Sequence, residues 1–176
     1  MGLPQVLIVT GAMAAGKSTL AQALAERLEM AVHLRGDVFR KMIVSGRATP
    51  GEGATGIAQL KMRYDLAVLA AARYANSGFS VVYQDIVLGE DLTEAVRRLK
   101  RWRPGVVVLN PPPTVLAGRD AARAKTGYGG PWSAEAFAQR VAATPRIGLW
   151  LDNSAMSVEQ TVDAILADPD ATRAGL

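Results

Sequence analysis

Short runs of consecutive apolar residues alternate along this chain with longer stretches whose apolar positions return every three or four residues. The first pattern suits strands buried on both faces and the second suits amphipathic helices, so the alternation predicts a parallel sheet wrapped in helices. Residues 6–10, VLIVT, read as the first strand. A helix over about 17–29 follows, with Leu20, Leu24 and Leu28 on one face. Residues 31–35 read as a second strand, and Asp37 opens a helix to about residue 45. The stretch 46–55, GRATPGEGAT, is a Gly- and Pro-rich loop. A long helix then runs from about 55 to 76, and Gly78 stops it.

Further strands are expected at 80–85, 105–110 and 147–152. The helices among them are one ending in the basic cluster 97–103, one near 115–125, one capped by Ser133 and one over 158–167. No repeat, low-complexity tract or linker divides the chain. The expectation is one α/β domain over residues 1–176, a three-layer fold with a five-stranded parallel sheet flanked by helices.

Composition changes this picture little. The chain has 176 residues, 49% of them hydrophobic and 20% charged, enough for one well-buried domain and too few for two ordinary ones. A formal net charge of +4 suits a polyanionic ligand without selecting one. The absence of cysteine is more decisive, since it removes disulfides, thiolate metal sites and cysteine nucleophiles. The opening residues lack the basic stretch of a signal peptide, and the apolar run 6–9 is too short to span a bilayer. A cytoplasmic protein with no membrane partner is expected.

One motif carries specific chemistry. Gly11-Ala12-Met13-Ala14-Ala15-Gly16-Lys17-Ser18-Thr19 satisfies GxxxxGK[ST] between an apolar strand and a periodic helix. Backbone N–H groups must turn inward around phosphates, which glycines at both ends permit. Lys17 then offers a positive charge to the β- and γ-phosphates, Ser18 a hydroxyl to Mg²⁺, and the following helix its N-terminus. A P-loop NTPase fold binding ATP and Mg²⁺ follows as the expectation, with residues 11–19 as the nucleotide cradle.

Two carboxylates lie at the same edge of the predicted sheet. Asp85 ends the third strand and is expected to hold Mg²⁺ through water and to border the substrate. Asp37 follows the second strand and is the candidate base for an attacking hydroxyl, although Asp is also a favoured helix N-cap. Arg40 shares a helical face with Asp37 and is a candidate substrate contact. Arg63 and Tyr64 are candidates for the acceptor wall, so that residues 36–76 form an acceptor-side region. Arg119 and Arg123 stand four apart before a glycine-rich segment, and a short lid is expected at about 125–133 to exclude water and neutralise migrating charge. The cluster RRLKRWR at 97–103 reads as a solvated helix end rather than a nucleic-acid patch, with only Trp102 interleaved. His33, the only histidine, reads as packed or hydrogen-bonded rather than catalytic.

GAMAAGKST, RGDVFRKM, VVYQDIVLGED and VLAGRDAARAK together resemble the shikimate-kinase and nucleoside-monophosphate-kinase branch of P-loop phosphotransferases. More narrowly, the chain resembles chloramphenicol phosphotransferase and the tunicamycin-resistance ATP-binding proteins. The resemblance implies an ATP-dependent phosphotransferase with an alcohol group as acceptor, on a small hydroxylated molecule such as an antibiotic or a nucleoside-like compound. It implies Asp37, Lys17 and Arg123 as catalytic residues, Arg119 against the adenine, Arg123 against the phosphates, and Asn153-Ser154 near the base. Gln84 stands where chloramphenicol phosphotransferase carries a second acidic residue. The GDxxR run of residues 36–40 is also similar to adenylylsulfate kinase, so a nucleotide acceptor is the alternative. A non-catalytic GTPase-type switch would need NKxD, which does not occur. An NTPase motor or clamp usually needs a larger core and a partner's arginine. Neither the acceptor nor the oligomeric state is legible here.

Overall fold

Every residue of VLIVTG at 6–11 and of GVVVL at 105–109 is buried, the signature of strands covered on both faces. These two strands form the middle of the sheet in the computed structural model, which describes residues 2–122, 128 and 132–175. The strands are β1 (Val6–Gly11), β2 (Ala31–Arg35), β3 (Ser80–Gln84), β4 (Gly105–Leu109) and β5 (Leu149–Leu151). They run all parallel in the order β2-β3-β1-β4-β5. The less buried strands, β2 and β5, are the edges. This is the expected α/β architecture of a P-loop NTPase.

Among the described residues seven α-helices connect and flank the strands: α1 (Lys17–Glu26), α2 (Asp37–Lys41), α3 (Gly53–Asn76), α4 (Glu90–Arg98), α5 (Pro113–Ala121), α6 (Ala134–Ala142) and α7 (Val158–Ala167). Leu20 and Leu24 of α1 enter the core as the fourfold spacing requires. Ser133 caps α6 by accepting from the Ala136 N–H, and Ser157 with Gln160 forms a full capping box on α7.

Three boundaries differ from expectation for visible reasons. Helix α2 stops at Lys41 instead of residue 45: no side chain of it is fully buried and only Phe39 packs against the core, so little apolar face prolongs it. Strand β5 begins at Leu149 instead of 147, since Gly148 turns the chain at φ 68° with its α-carbon hard against Val106. Helix α5 ends at Ala121, short of the expected 125; Arg123 and residues 125–127 and 129–131 of the expected lid lie outside the described residues. The basic cluster closes α4 and continues into a single 3₁₀ turn, Lys100–Trp102, exposed as expected of a helix end. Among the described residues no helix is long and apolar enough to cross a membrane.

Pairing in register sets the strand ends side by side. Arg35 lies opposite Gln84, Gly11 opposite Leu109, and Leu109 opposite Leu151. The loops that leave these ends therefore crowd one edge of the sheet, where open α/β folds bind ligands.

Candidate active site

The loop between β1 and α1 wraps back over that edge. Gly11 adopts φ 138° and a Cβ there would meet the Leu109 carbonyl at 2.3 Å, so only glycine fits. Gly16 adopts φ 94° at the start of α1, and Ala14 takes φ 64° although it carries a Cβ. A non-glycine residue held in the left-handed region stores strain that the surrounding structure sustains, as phosphate-binding loops do. Lys17 is buried, and its ammonium donates to the Ala12 carbonyl at 2.6 Å, inside the loop's curve. A concave main chain, a helix N-terminus and one ammonium are the complement of a triphosphate. The residues present therefore fit the nucleotide that the motif implies.

On one side of the loop lies a cavity of about 380 Å³ bordered by Ala14, Gly16, Arg119, Asn153 and Val158. Arg119 donates to the Asn153 carbonyl at 2.8 Å, and the buried Asn153 amide donates to the Ala15 carbonyl at 3.0 Å. The loop after β5 is thus tied to the phosphate loop, and both residues expected at the nucleoside stand there. Tyr128 reaches across from the segment after α5, its hydroxyl donating to the Met13 carbonyl at 2.5 Å.

The Ser18 hydroxyl donates to the Gln84 amide oxygen at 3.0 Å. These are oxygen donors, the kind a hard cation such as Mg²⁺ takes beside phosphates. Asp85, the carboxylate expected at the metal, is fully buried, and both its oxygens are gripped by Arg63. Oδ1 also accepts from the Ile86 N–H at 2.7 Å. The structure thus brings Asp85 and Arg63 together and sets Gln84 against Ser18. Burial lowers the affinity of Arg63 for its proton, and the ion pair with Asp85 is what keeps both charges tolerable there.

Asp37 opens α2, half-buried. Burial alone would raise its pKa, but the hydrogen bond and charge of Lys41, with the charges of Arg35 and Arg63, hold the carboxyl below its usual range. Lys41 takes Oδ2, whereas Oδ1 has no hydrogen bond, with Arg35 Nε at 3.5 Å. The group is a carboxylate held in its ionised form, with Oδ1 buried beside Arg35 and without a hydrogen bond, and Asp37 itself is not among the lining residues of the cavities on either side of it. His33 hydrogen-bonds Gln22 at 2.8 Å and lies near Gln84, Arg35 and Asp37, with burial the main cause that lowers its pKa.

A second cavity, of about 510 Å³, opens on the other side of the phosphate loop. Met13 forms one wall, and Arg40, Arg63 and Tyr64 another, as the acceptor-side reading expects. The Tyr64 hydroxyl donates to the Ile86 carbonyl at 2.6 Å and is pushed up to about 12 by burial, so it stays neutral. Phe137 and Arg140 escaped the sequence reading, and Trp132, expected only as part of the lid, stands with them in the lining. Phe137 and Arg140 lie one turn apart on α6, and an arginine beside an apolar helix face was the available signal.

The family model described as AAA domain matches residues 6–144. The chain belongs to the AAA domain family. No curated protein matches the sequence. Among solved structures it is similar to a provisionally assigned kinase from Chloroflexus aurantiacus, at 24% identity and TM-score 0.67, covering 98% of this chain and 99% of that one. It is similar as well to the tunicamycin resistance protein of Deinococcus radiodurans, at 18% identity and TM-score 0.65, with 97% and 98% covered. The APS kinase of Mycobacterium tuberculosis, in complex with AMPPNP and APS, aligns at 18% identity and TM-score 0.68, with 95% and 98% covered. At these identities the likeness establishes the fold alone, shared over nearly the whole chain.

Proposed function

We propose that this protein transfers the γ-phosphate of ATP to a hydroxyl of a small molecule. One observation carries the reading: two cavities meet at the phosphate loop, with Ala14 and Gly16 bordering one and Met13 the other. A phosphoryl group cradled in that loop stands between a nucleoside site and an acceptor site, as in-line transfer requires.

In this reading the amides of residues 11–19 wrap the triphosphate and Lys17 neutralises its outer charge. Arg119 and Asn153 hold the nucleoside end. Ser18 and Gln84, with Asp85 behind them, would hold Mg²⁺, which when bound offsets the charge of the transferring phosphates. Asp37 is the proposed base: its Oδ1 would turn from Arg35 toward the bound acceptor and take the hydroxyl's proton as the new O–P bond forms and the bond to ADP breaks. Arg123 is the proposed second cation over the migrating charge. The resemblance to resistance kinases, and the fold shared with the Deinococcus tunicamycin resistance protein, favour a hydroxylated antibiotic or nucleoside-like acceptor.

The test is an ATP-consumption screen of purified protein with Mg²⁺ against hydroxylated antibiotics, nucleosides and nucleoside monophosphates, with Asp37→Asn alongside. Loss of a general base lowers kcat by about a hundredfold or more. Undiminished turnover by this variant removes Asp37 from the role. Nucleotide binding without turnover on any acceptor would instead leave a non-catalytic switch.

A further inference from the structure

The acceptor cavity contains more positive charge than its own carboxylates answer. Arg40, Arg63 and Arg140 all border it. Asp85 neutralises Arg63. Among the described residues no acidic side chain forms an ion pair with Arg40 or Arg140. Residues 123–127 and 129–131, which lie outside the description, include no Asp or Glu. Two guanidiniums therefore face one cavity without an internal counter-charge.

Their surroundings show that they are held ready. Arg40 is half-buried and spends one amine on the Ala48 carbonyl at 3.1 Å, while its Nε is buried with no hydrogen-bond partner. An orphaned charged donor in a folded protein costs stability and calls for an acceptor from a ligand. The Arg140 guanidinium lies 5.9 Å from the Trp132 ring centre and 5.7 Å from that of Phe137. The two rings are 5.4 Å apart, tilted by 30°. This wall keeps the cation oriented without neutralising it.

We infer that the acceptor is an organic anion: a hydroxylated molecule whose carboxylate or phosphate is read by Arg40 and Arg140 and whose ring or sugar lies against Trp132 and Phe137. The inference rests on the kinase reading for the word acceptor, but the anion site stands on its own geometry. Guanidiniums pair with planar carboxylates and with phosphates through parallel N–H···O bonds, and in a cavity of this size they select charge as well as shape.

The test uses the full chain loaded with AMPPNP and Mg²⁺, titrated calorimetrically with three matched pairs. These are 4-(hydroxymethyl)benzoate against 4-(hydroxymethyl)benzamide, glucuronate against glucose, and adenosine monophosphate against adenosine. At least one acid is expected to bind about tenfold or more tightly than its uncharged partner, the worth of one charge-assisted contact. Arg140→Gln and Arg40→Gln should each erase that preference, Arg140→Lys should restore part of it, and the remote Arg97→Gln should retain it. Melting temperatures show whether each variant is folded. Equal or tighter binding of every uncharged partner overturns the inference. So does a preference that survives both glutamine variants, or failure of all three acids to bind. Phosphate transfer is followed separately with labelled ATP. An acid preference without transfer would sink the kinase reading and leave the anion site, whereas transfer to uncharged partners alone would do the reverse.

Discussion

Arg63 reaches from α3 to clasp both oxygens of Asp85, 22 residues further along the chain, with Nε to Oδ2 at 2.8 Å and side-chain exposures of 12% and 0%. The pair pins the long helix of the acceptor side to the end of β3, where Gln84 meets Ser18 of the phosphate loop. It is therefore a strut between the two halves of the site.

Breaking that strut from one side leaves an uncompensated buried charge. Asp85→Asn is expected to destabilise the fold by about 3 kcal/mol or more in urea unfolding. Replacing both partners, as in Arg63→Met with Asp85→Leu, should recover much of the loss, because neither charge is then stranded. An Asp85→Asn protein as stable as the parent would show the pair to be energetically idle.

Gly36 is the contact that lets α2 approach this strut. A Cβ at that position would lie 2.0 Å from Asp85 Oδ2 and 2.6 Å from its Cγ. Gly36→Ala should therefore cost about 2 kcal/mol through forced displacement. It should also lower turnover, because Asp37 is the next residue. A denaturation midpoint equal to wild type would contradict the packing described.

Asp37 gives a pH prediction. Its carboxyl sits below the ordinary carboxylate value, so it is ionised through the neutral range and the acid limb of kcat/KM lies lower than that of an unperturbed carboxylate. The stability it contributes is complete above the unfolded carboxylate value and is lost as pH falls through the lower folded one. Lys41→Gln removes the hydrogen bond and charge that lower it and leaves burial, which raises it. The acid limb of the pH–rate profile should then move upward. An unmoved limb would mean that another group sets it.

Asn153 joins the loop after β5 to the phosphate loop through the Ala15 carbonyl. Asn153→Ala loses one buried hydrogen bond, and KM for ATP should rise about tenfold. The KM of the phosphate acceptor should stay put, since Asn153 borders the first cavity and the second shares no lining residue with it. Initial-rate kinetics with each substrate varied would separate the effects.

How much of this was legible in the chain follows from distance along it. The phosphate loop is contained in nine consecutive residues, because main-chain curvature needs only glycines, one lysine and a helix behind them. The strands, most helix starts and the edge positions of Asp37 and Asp85 likewise follow from local periodicity and caps. The α/β class was thus written in short-range pattern.

Only the tertiary structure decided who meets whom. Strand order places Gln84 beside Arg35 and Val9, which no local pattern states. It turned Arg63 toward Asp85, where the sequence reading had Asp85 at the metal and the substrate's border and Arg63 at the acceptor wall, and it set Arg140 in one cavity's lining with Arg40, 100 positions earlier. A side chain's partner depends on packing between elements distant in sequence, and a guanidinium looks the same in a string of letters whether a carboxylate answers it or not.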